Sequence, residues 1–415
     1  MGAVRDARWS FAVPVALFYA ALFVVYGTHV PFMPVWLNWR GLSPAEISII
    51  VATPLFLRLF VSPVIAMAAD REWAHRRYLI ILAWLALGFV LALAASQSFA
   101  SILLFATLLM LCNSTIMPLI ETIAVNGMRH RGLHYGRVRL WGSLSFVAAS
   151  FAGGVVINAF GGGAGVWLVA FGCGLTVLAG HFLPAEERPH APAKPSVPLW
   201  QGAALRDLLR QKKFLVFLVA AGLAIASHAA FYTFGILIWE RQGLSAAWSG
   251  SLWAIGVFAE VLLFSVSGSV IQRFGAAQLI AAGAAAAILR WLVMAFDPPL
   301  AVLLPLQVLH GLTYGATHIG AIHFIHDTVD REKQGTAQAL YATMSSGVVM
   351  GCSTLIAGWA YARGGSMSYL AMVAISIVSL GAGLWLVRSR KSAVFGEARA
   401  EDRELSPKVP APADT

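Results

Sequence analysis

Long apolar runs recur along the chain, separated by short polar stretches. A bilayer core of about 30 Å needs about 20 residues of apolar helix. Runs of that kind lie near 11–37, 44–68, 78–96, 99–126, 138–160 and 164–183, and again near 214–239, 246–271, 277–296, 299–325, 335–361 and 366–388. They are spans 1 to 12 below. The runs do not alternate apolar and polar residues as the strands of a membrane β-barrel do, and a helix satisfies its own backbone in lipid. The pattern predicts an all-α membrane protein with twelve transmembrane helices in two six-helix pseudo-repeats. Residues 1–183 form one bundle and 214–390 the other.

Between them, 184–213 holds Pro184, Pro189, Pro192, Pro195 and Pro198, followed by Arg206, Arg210, Lys212 and Lys213. Proline and charge exclude a span there, so the segment is expected to be a cytosolic linker with a short surface helix near Leu205–Gln211. Residues 391–415 have the mixed charge and proline of a disordered cytosolic tail. Met1–Arg8 is basic, as the start of a signal peptide would be. The apolar stretch Phe11–Leu37 is too long for one and lacks a small-residue cleavage site, so it is expected to stay as the first span.

Composition agrees with this picture. Of 415 residues, 59% are hydrophobic and 12% charged, against about 45–50% and about 25% in soluble domains. This excludes a disordered chain, a disulfide scaffold and an ordinary cytosolic enzyme. A net charge of +10 would suggest nucleic acid in a soluble protein, but the distribution gives another meaning. With both termini cytosolic, 24 Lys/Arg fall in cytosolic segments or at the cytosolic ends of spans (Arg139, Arg388), three in outer loops (Arg40, Arg241, Arg363) and two deep in spans (Arg58, Arg290). That bias follows the positive-inside rule. The partner it implies is a lipid bilayer, with no nucleic acid. Cys112, Cys173 and Cys352 are widely spaced within apolar runs and are expected to be buried free thiols, with no metal and no cofactor.

The two halves repeat each other. Gly41-Leu42-Ser43-Pro44-Ala45 after span 1 corresponds to Gly243-Leu244-Ser245-Ala246-Ala247 after span 7, at an offset of 202 residues. At the same offset Asp70-Arg71 meets Gln272-Arg273, and Gly136 pairs with Gly335 at an offset of 199. Parallel six-span repeats with a site near the midplane describe one large transporter fold.

On these residues the chain resembles the major facilitator superfamily over about 9–390. The loop Ala66-Met67-Ala68-Ala69-Asp70-Arg71 to Arg76-Arg77 is similar to the superfamily's loop signature after span 2, without its glycines. The second copy, Gly268 to Arg273-Phe274-Gly275, keeps glycines but has Gln272 for the acid. The resemblance makes Asp70, Arg71 and Arg273 gating residues; the alternative is a solvated charge cluster that only sets topology. Tyr135-Gly136-Arg137-Val138-Arg139-Leu140-Trp141-Gly142 resembles a span 5 segment of the lactose permease branch, shared with the phenylpropionate permeases. Leu309-His310-Gly311-Leu312-Thr313-Tyr314 and Arg58 resemble the phenylpropionate side of that branch. The resemblance implies that Arg139 pairs with Glu121 of span 4 and holds substrate. It also implies a multi-pass protein of a bacterial-type inner membrane that works as a monomer.

Glu121, Glu260, Arg58 and Arg290 lie well inside spans, and their formal charges sum to zero. Each costs roughly 2.5–3.5 kcal/mol at a helix centre on insertion scales, which makes it a functional residue by default; the alternative is a buried structural ion pair. Arg58 and Glu260 occupy equivalent repeat positions. Glu260 is expected to face Arg290, because lactose permease resembles this arrangement, with a histidine that would be His310 here. That family's proton-carrying acid one turn after the histidine is replaced by Thr313. Proton coupling therefore falls to Glu260 first, with Glu121 and His310 behind, and Arg290 and Arg58 are grouped with them as its cationic members. Helical spacing puts His310, Tyr314 and His318 on one side of span 10, either lining the cavity or packing between helices.

Polar and aromatic residues share faces with these charges: Tyr19, Phe23 and Tyr26 in span 1, Asn113 in span 4, His228 and Tyr232 in span 7, and Trp253 beside Glu260 in span 8. Aromatic stripes can equally face lipid. An arginine in a ring-lined cavity suits an aromatic or amphipathic anion. The expected function is proton-coupled uptake of a small aromatic carboxylate, such as a phenylpropionate-like acid, by alternating access. A sugar or nucleoside symporter and an exporter on the same fold remain the alternatives. A polytopic membrane enzyme fits least, since the linker holds no catalytic arrangement.

Overall fold

The computed structural model describes residues 2–185 and 202–405. Among these residues every regular element is helical. The first half comprises Gly2–Trp39, Pro44–Glu72, His75–Ala95, Phe99–Arg131, Tyr135–Phe160 and Ala164–Phe182, one helix for each of spans 1 to 6. After the linker helix Gly202–Arg210, span 7 is formed by Lys212–Ala226 and Ala229–Arg241, span 8 by Ala246–Ser265, and span 9 by Ala276–Met294.

Eleven described segments are long and apolar enough to cross a bilayer. The last of these, Arg331–Ser389, has 59 residues, about 88 Å of helix at about 1.5 Å per residue. It crosses twice, folding back at the 3-10 turn Gly365–Met367, where Gly365 has φ 56°. The described residues therefore hold twelve spans, as the sequence pattern predicts.

The repeat is visible atom by atom. Gly41 and Gly243 have φ of 81° and 86°, a left-handed conformation that glycine adopts without strain. Ser43 and Ser245 each cap the next helix, accepting from the backbone N–H of Glu46 and Trp248. The preceding turns match bond for bond at the same 202-residue offset: Gly41 N–H donates to Asn38 O as Gly243 N–H does to Glu240 O, and Leu42 N–H to Leu37 O as Leu244 N–H does to Trp239 O.

Several features escape periodicity. Span 7 breaks at Ser227 and His228. Span 10 is Leu300–Val308, a π-helical turn Gly311–Ala316 and then Thr317–Thr328. Span 11 is Gln334–Ala342, a π-helical turn Thr343–Val348 and then Val349–Gly364. Single π turns inside α-helices concentrate at functional sites. The final helix runs Ser368–Leu405, so residues 391–405, expected as disordered tail, are helical. Alanine, glutamate and arginine are strong helix formers, and Pro407 follows beyond the end. Residues 186–201 of the expected linker and 406–415 lie outside the described residues. Cys112 and Cys173 are buried, but Cys352 is exposed. An apolar run in a bilayer presents one side to lipid, so an apolar context does not bury a thiol.

The halves meet through small residues. A Cβ added to Gly154 of span 5 would come 3.1 Å from the Gly250 Cα of span 8, and one on Gly250 would come 3.0 Å from the Gly154 Cα. Span 2 lies against span 11, with Gly351 against the Phe56 ring and Gly358 against Ser48. These approaches lie at the face away from the linker and at mid-depth. Toward the linker face, burial in span 2 lapses between Leu55 and Ala69, and no residue of Ser267–Phe274 after span 8 is buried. The halves close at the face away from the linker; between them the side chains of Glu121, Arg139 and Glu260 keep 30%, 25% and 16% of their surface accessible, which marks a central cavity.

Candidate functional site

Two clusters face each other across this cavity. On the first half, Arg139 Nε lies 3.5 Å from Glu121 Oε1, and the Tyr135 hydroxyl donates to Glu121 Oε2. The Arg139 guanidinium stacks over Phe23 at 4.1 Å and lies 5.3 Å from the Tyr19 ring centre. Tyr26 packs edge-on against Phe23 and donates to the Asn113 carbonyl at 2.8 Å. The Asn113 amide donates back to Leu109 O in its own helix. Arg139 begins span 5, and its long side chain carries the charge inward.

On the second half, Arg290 is fully buried. It donates to Gln307 Oε1 at 2.7 Å, Thr313 Oγ1 at 3.2 Å and His310 Nδ1 at 3.1 Å. Its guanidinium lies 4.7 Å from the ring centres of both Phe231 and Trp291. Hydrogen bonds to a charged group contribute about 1.5–3 kcal/mol each. Three such bonds and two ring faces offset the roughly 2.5–3.5 kcal/mol cost of placing an arginine at mid-membrane on insertion scales.

The donors fix the tautomers. A guanidinium only donates, so His310 Nδ1 accepts and the ring proton sits on Nε2. That nitrogen faces Glu260 Oε2 at 3.6 Å. His228 Nδ1 lies 3.0 Å from Ile225 O and so carries the proton there. Its Nε2 then accepts from the Thr313 hydroxyl at 3.0 Å. Thr313, where the resembling family carries an acid, is the hub between Arg290 and His228.

Aromatic rings wall this cluster. Tyr232 stacks on His228 at 5.5 Å and Trp253 on Phe231 at 4.7 Å. His310, Tyr314 and His318 form a column, with spacings of 5.5 Å and 6.1 Å. The column crosses the π turn of span 10. Glu260 lies within electrostatic reach of Arg139 of the other half.

Glu260 and Arg290 thus meet through His310, and Arg58 does not reach Glu260. Arg58 donates instead to the backbone carbonyl of Ser346 in span 11. Near the linker face, Asp70 Oδ1 lies 2.7 Å from His75 Nε2, joining the ends of spans 2 and 3. Arg71 ends span 2 on that face, and Arg273 lies over Phe274 at 5.7 Å. Among the described residues, no group of three metal-ligating side chains comes together.

Phe23, Tyr135, Gln307 and Thr313 were not assigned a site role from sequence. Gln307 carried a signal: an amide one turn before His310 in an otherwise apolar run. Tyr135 stood in the span 5 motif but reads there as a helix-end aromatic.

A family model described as the MFS_1 like family matches residues 13–371. The chain is 29% identical over 381 residues to a probable 3-phenylpropionic acid transporter of Escherichia coli, covering 91% of this chain and 97% of that protein. It is also 29% identical over 357 residues to a maltose permease of Geobacillus stearothermophilus, covering 84% and 87%. The fold matches a crystal structure of the nucleoside transporter NupG with a TM-score of 0.78 at 16% identity, covering 91% of this chain and 98% of that one.

Proposed function

The chain belongs to the MFS_1 like family and is a membrane transporter rather than an enzyme, and from that premise we propose that it takes up a small aromatic carboxylate together with a proton. The observation that carries this reading is the charge around the cavity. Arg139 turns inward to join Arg58, Arg290, Glu121 and Glu260, so five charges surround the space with a formal net of +1. A substrate carboxylate neutralises that excess. Phe23 and Tyr26 beside Arg139, with Tyr232 opposite, are partly exposed and supply ring faces for an aromatic body, with Tyr19 and Trp253 buried behind them. The E. coli relative's name supports the same class.

Arg139 holds the carboxylate in a charge-assisted bond. Ionised Glu260 on the opposite half opposes an incoming carboxylate by like-charge repulsion. A proton on Glu260 removes that repulsion, so proton and substrate each favour the binding of the other. His310, with its proton on Nε2 facing the carboxylate, is the neighbouring group for that transfer. Rocking of the two halves about the contacts of spans 5 with 8 and 2 with 11 then alternates access. The loop charges support cytoplasmic termini in a bacterial-type inner membrane. Each chain carries both halves of one cavity and works as a monomer.

The test is uptake of labelled 3-phenylpropionate into vesicles with and without an inward pH gradient. Accumulation is expected only with the gradient, and is lost in Arg139→Ala and Glu260→Gln. Full uptake without a gradient sinks the symport, and full uptake by either variant sinks that residue's role. A second reading, a sugar or nucleoside symporter, draws on Glu121, which next to Arg139 can accept from hydroxyls, and on the maltose permease relative. Maltose and uridine as competitors in the same assay separate the two.

A further inference from the structure

Three arginines surround the cavity, and two of them have carboxylates nearby. Arg139 lies against Glu121, and Arg290 connects to Glu260 through His310. Arg58 differs. It sits at the middle of span 2 and donates to the Ser346 carbonyl on the opposite half. Among the described residues, that neutral oxygen is its hydrogen-bond acceptor and no carboxylate lies within ion-pair distance. A half-buried cation at mid-membrane bonded to a peptide carbonyl lacks a countercharge.

The acceptor is also unusual. Ser346 belongs to the π turn Thr343–Val348. A π turn inserts one residue into the helix and leaves carbonyls at its edge short of their ordinary donors. Side chains bond carbonyls here: Arg58 donates to Ser346 O, and the Ser345 hydroxyl to Tyr341 O at 2.7 Å. Against this turn opens a cavity of about 240 Å³ lined by Tyr314, His318, Gln338, Tyr341, Ser345 and Ser346. At roughly 30 Å³ per water it has room for about eight waters. Through Ser346 the Arg58 guanidinium reaches the lining of this cavity, and Tyr314 of the same lining stacks on His310, which faces Glu260.

We propose that Arg58 is the second carboxylate-binding residue of the transport site, and that a bound carboxylate replaces the Ser346 carbonyl as its acceptor. This rests on the aromatic-acid reading above. A guanidinium–carboxylate bond is shorter and stronger than one to a neutral oxygen, and it can be bidentate. The exchange therefore runs toward the ligand. It also removes one tie between spans 2 and 11, which leaves the packing of Gly351 on Phe56 and Gly358 on Ser48 in place, so engagement of the anion weakens this contact between the halves. An uncharged analogue of the same shape fills the cavity without driving the exchange.

The experiment measures binding of 3-phenylpropionate and of neutral 3-phenylpropionamide to the purified full chain by calorimetry. The wild type is expected to prefer the acid. Arg58→Gln is expected to weaken acid binding about 10- to 100-fold while leaving amide binding unmoved, and Arg58→Lys to recover part of the preference. An Arg58→Gln protein that keeps the wild-type preference overturns the proposal and leaves the aromatic-acid reading standing. A wild type that does not favour the acid overturns that reading and the proposal with it. Loss of both ligands in Arg58→Gln makes the residue a structural tie and also overturns the proposal.

Discussion

Arg290 donates to Nδ1 of His310 at 3.1 Å, and this single bond decides what His310 can do. With Nδ1 occupied, the ring proton points toward Glu260. The buried cation and the carboxylate are thereby linked through an imidazole instead of touching. The proposed proton step on Glu260 uses this arrangement, in which an imidazole stands between the carboxylate and the buried cation. His310→Ala removes that link. Accumulation driven by a pH gradient is expected to be lost while substrate exchange across the membrane persists. Counterflow in vesicles measured beside concentrative uptake checks this, and equal loss of both would assign His310 to substrate binding.

Thr313 bonds both Arg290 and His228 from one hydroxyl in a fully buried position. Thr313→Val keeps the shape and leaves both partners short of a bond. Leaving buried polar groups unsatisfied costs about 1–3 kcal/mol, and more for charged ones. The variant is expected to melt at lower temperature in detergent and to lose proton coupling. Unchanged melting would mean that water replaces the hydroxyl.

Phe23 lies 4.1 Å beneath the Arg139 guanidinium. Such a contact contributes about 0.5–1 kcal/mol when exposed and about 2 when desolvated. Phe23→Leu retains bulk but not the ring face. Its expected effect is a substrate Kd raised roughly 2- to 30-fold, with little change in thermal stability. Wild-type affinity in this variant would remove Phe23 from the site.

Gly154 and Gly250 let spans 5 and 8 touch backbone to backbone at the face away from the linker. A Cβ at 3.1 Å from the opposing Cα forces the helices apart. Gly154→Val is expected to open that face, shift the balance between the two access states and slow transport. Spin-label distances between the outer ends of spans 5 and 8 should lengthen. Unchanged distances with normal transport would mean the contact is compliant.

Much of the fold was legible because a bilayer imposes a strong rule. Every crossing needs a long apolar helix, so twelve runs could be counted, and their basic flanks suggested an orientation. The repeat was legible where turn chemistry demands particular residues, as at Gly41 and Ser43 with Gly243 and Ser245. The site was only partly legible. Arg139 and Glu121 stood out through a motif, whereas Phe23 and Tyr135 look like any aromatics at a lipid boundary. Apolar context also misjudged Cys352, which is exposed.

By itself the sequence determined the helical membrane class, the two related halves and the positions of the costly charges, because each follows from transfer energies or local turn geometry. The tertiary structure decided the pairings. It placed His310 between Arg290 and Glu260, turned Arg139 inward to bring the cavity charge to +1, and carried Arg58 to a carbonyl of the other half. It also introduced the breaks of spans 7, 10 and 11 that bring these groups together. Such contacts join residues up to 288 positions apart. They depend on how whole helices rotate and pack, and no local pattern of hydrophobic and polar residues encodes that.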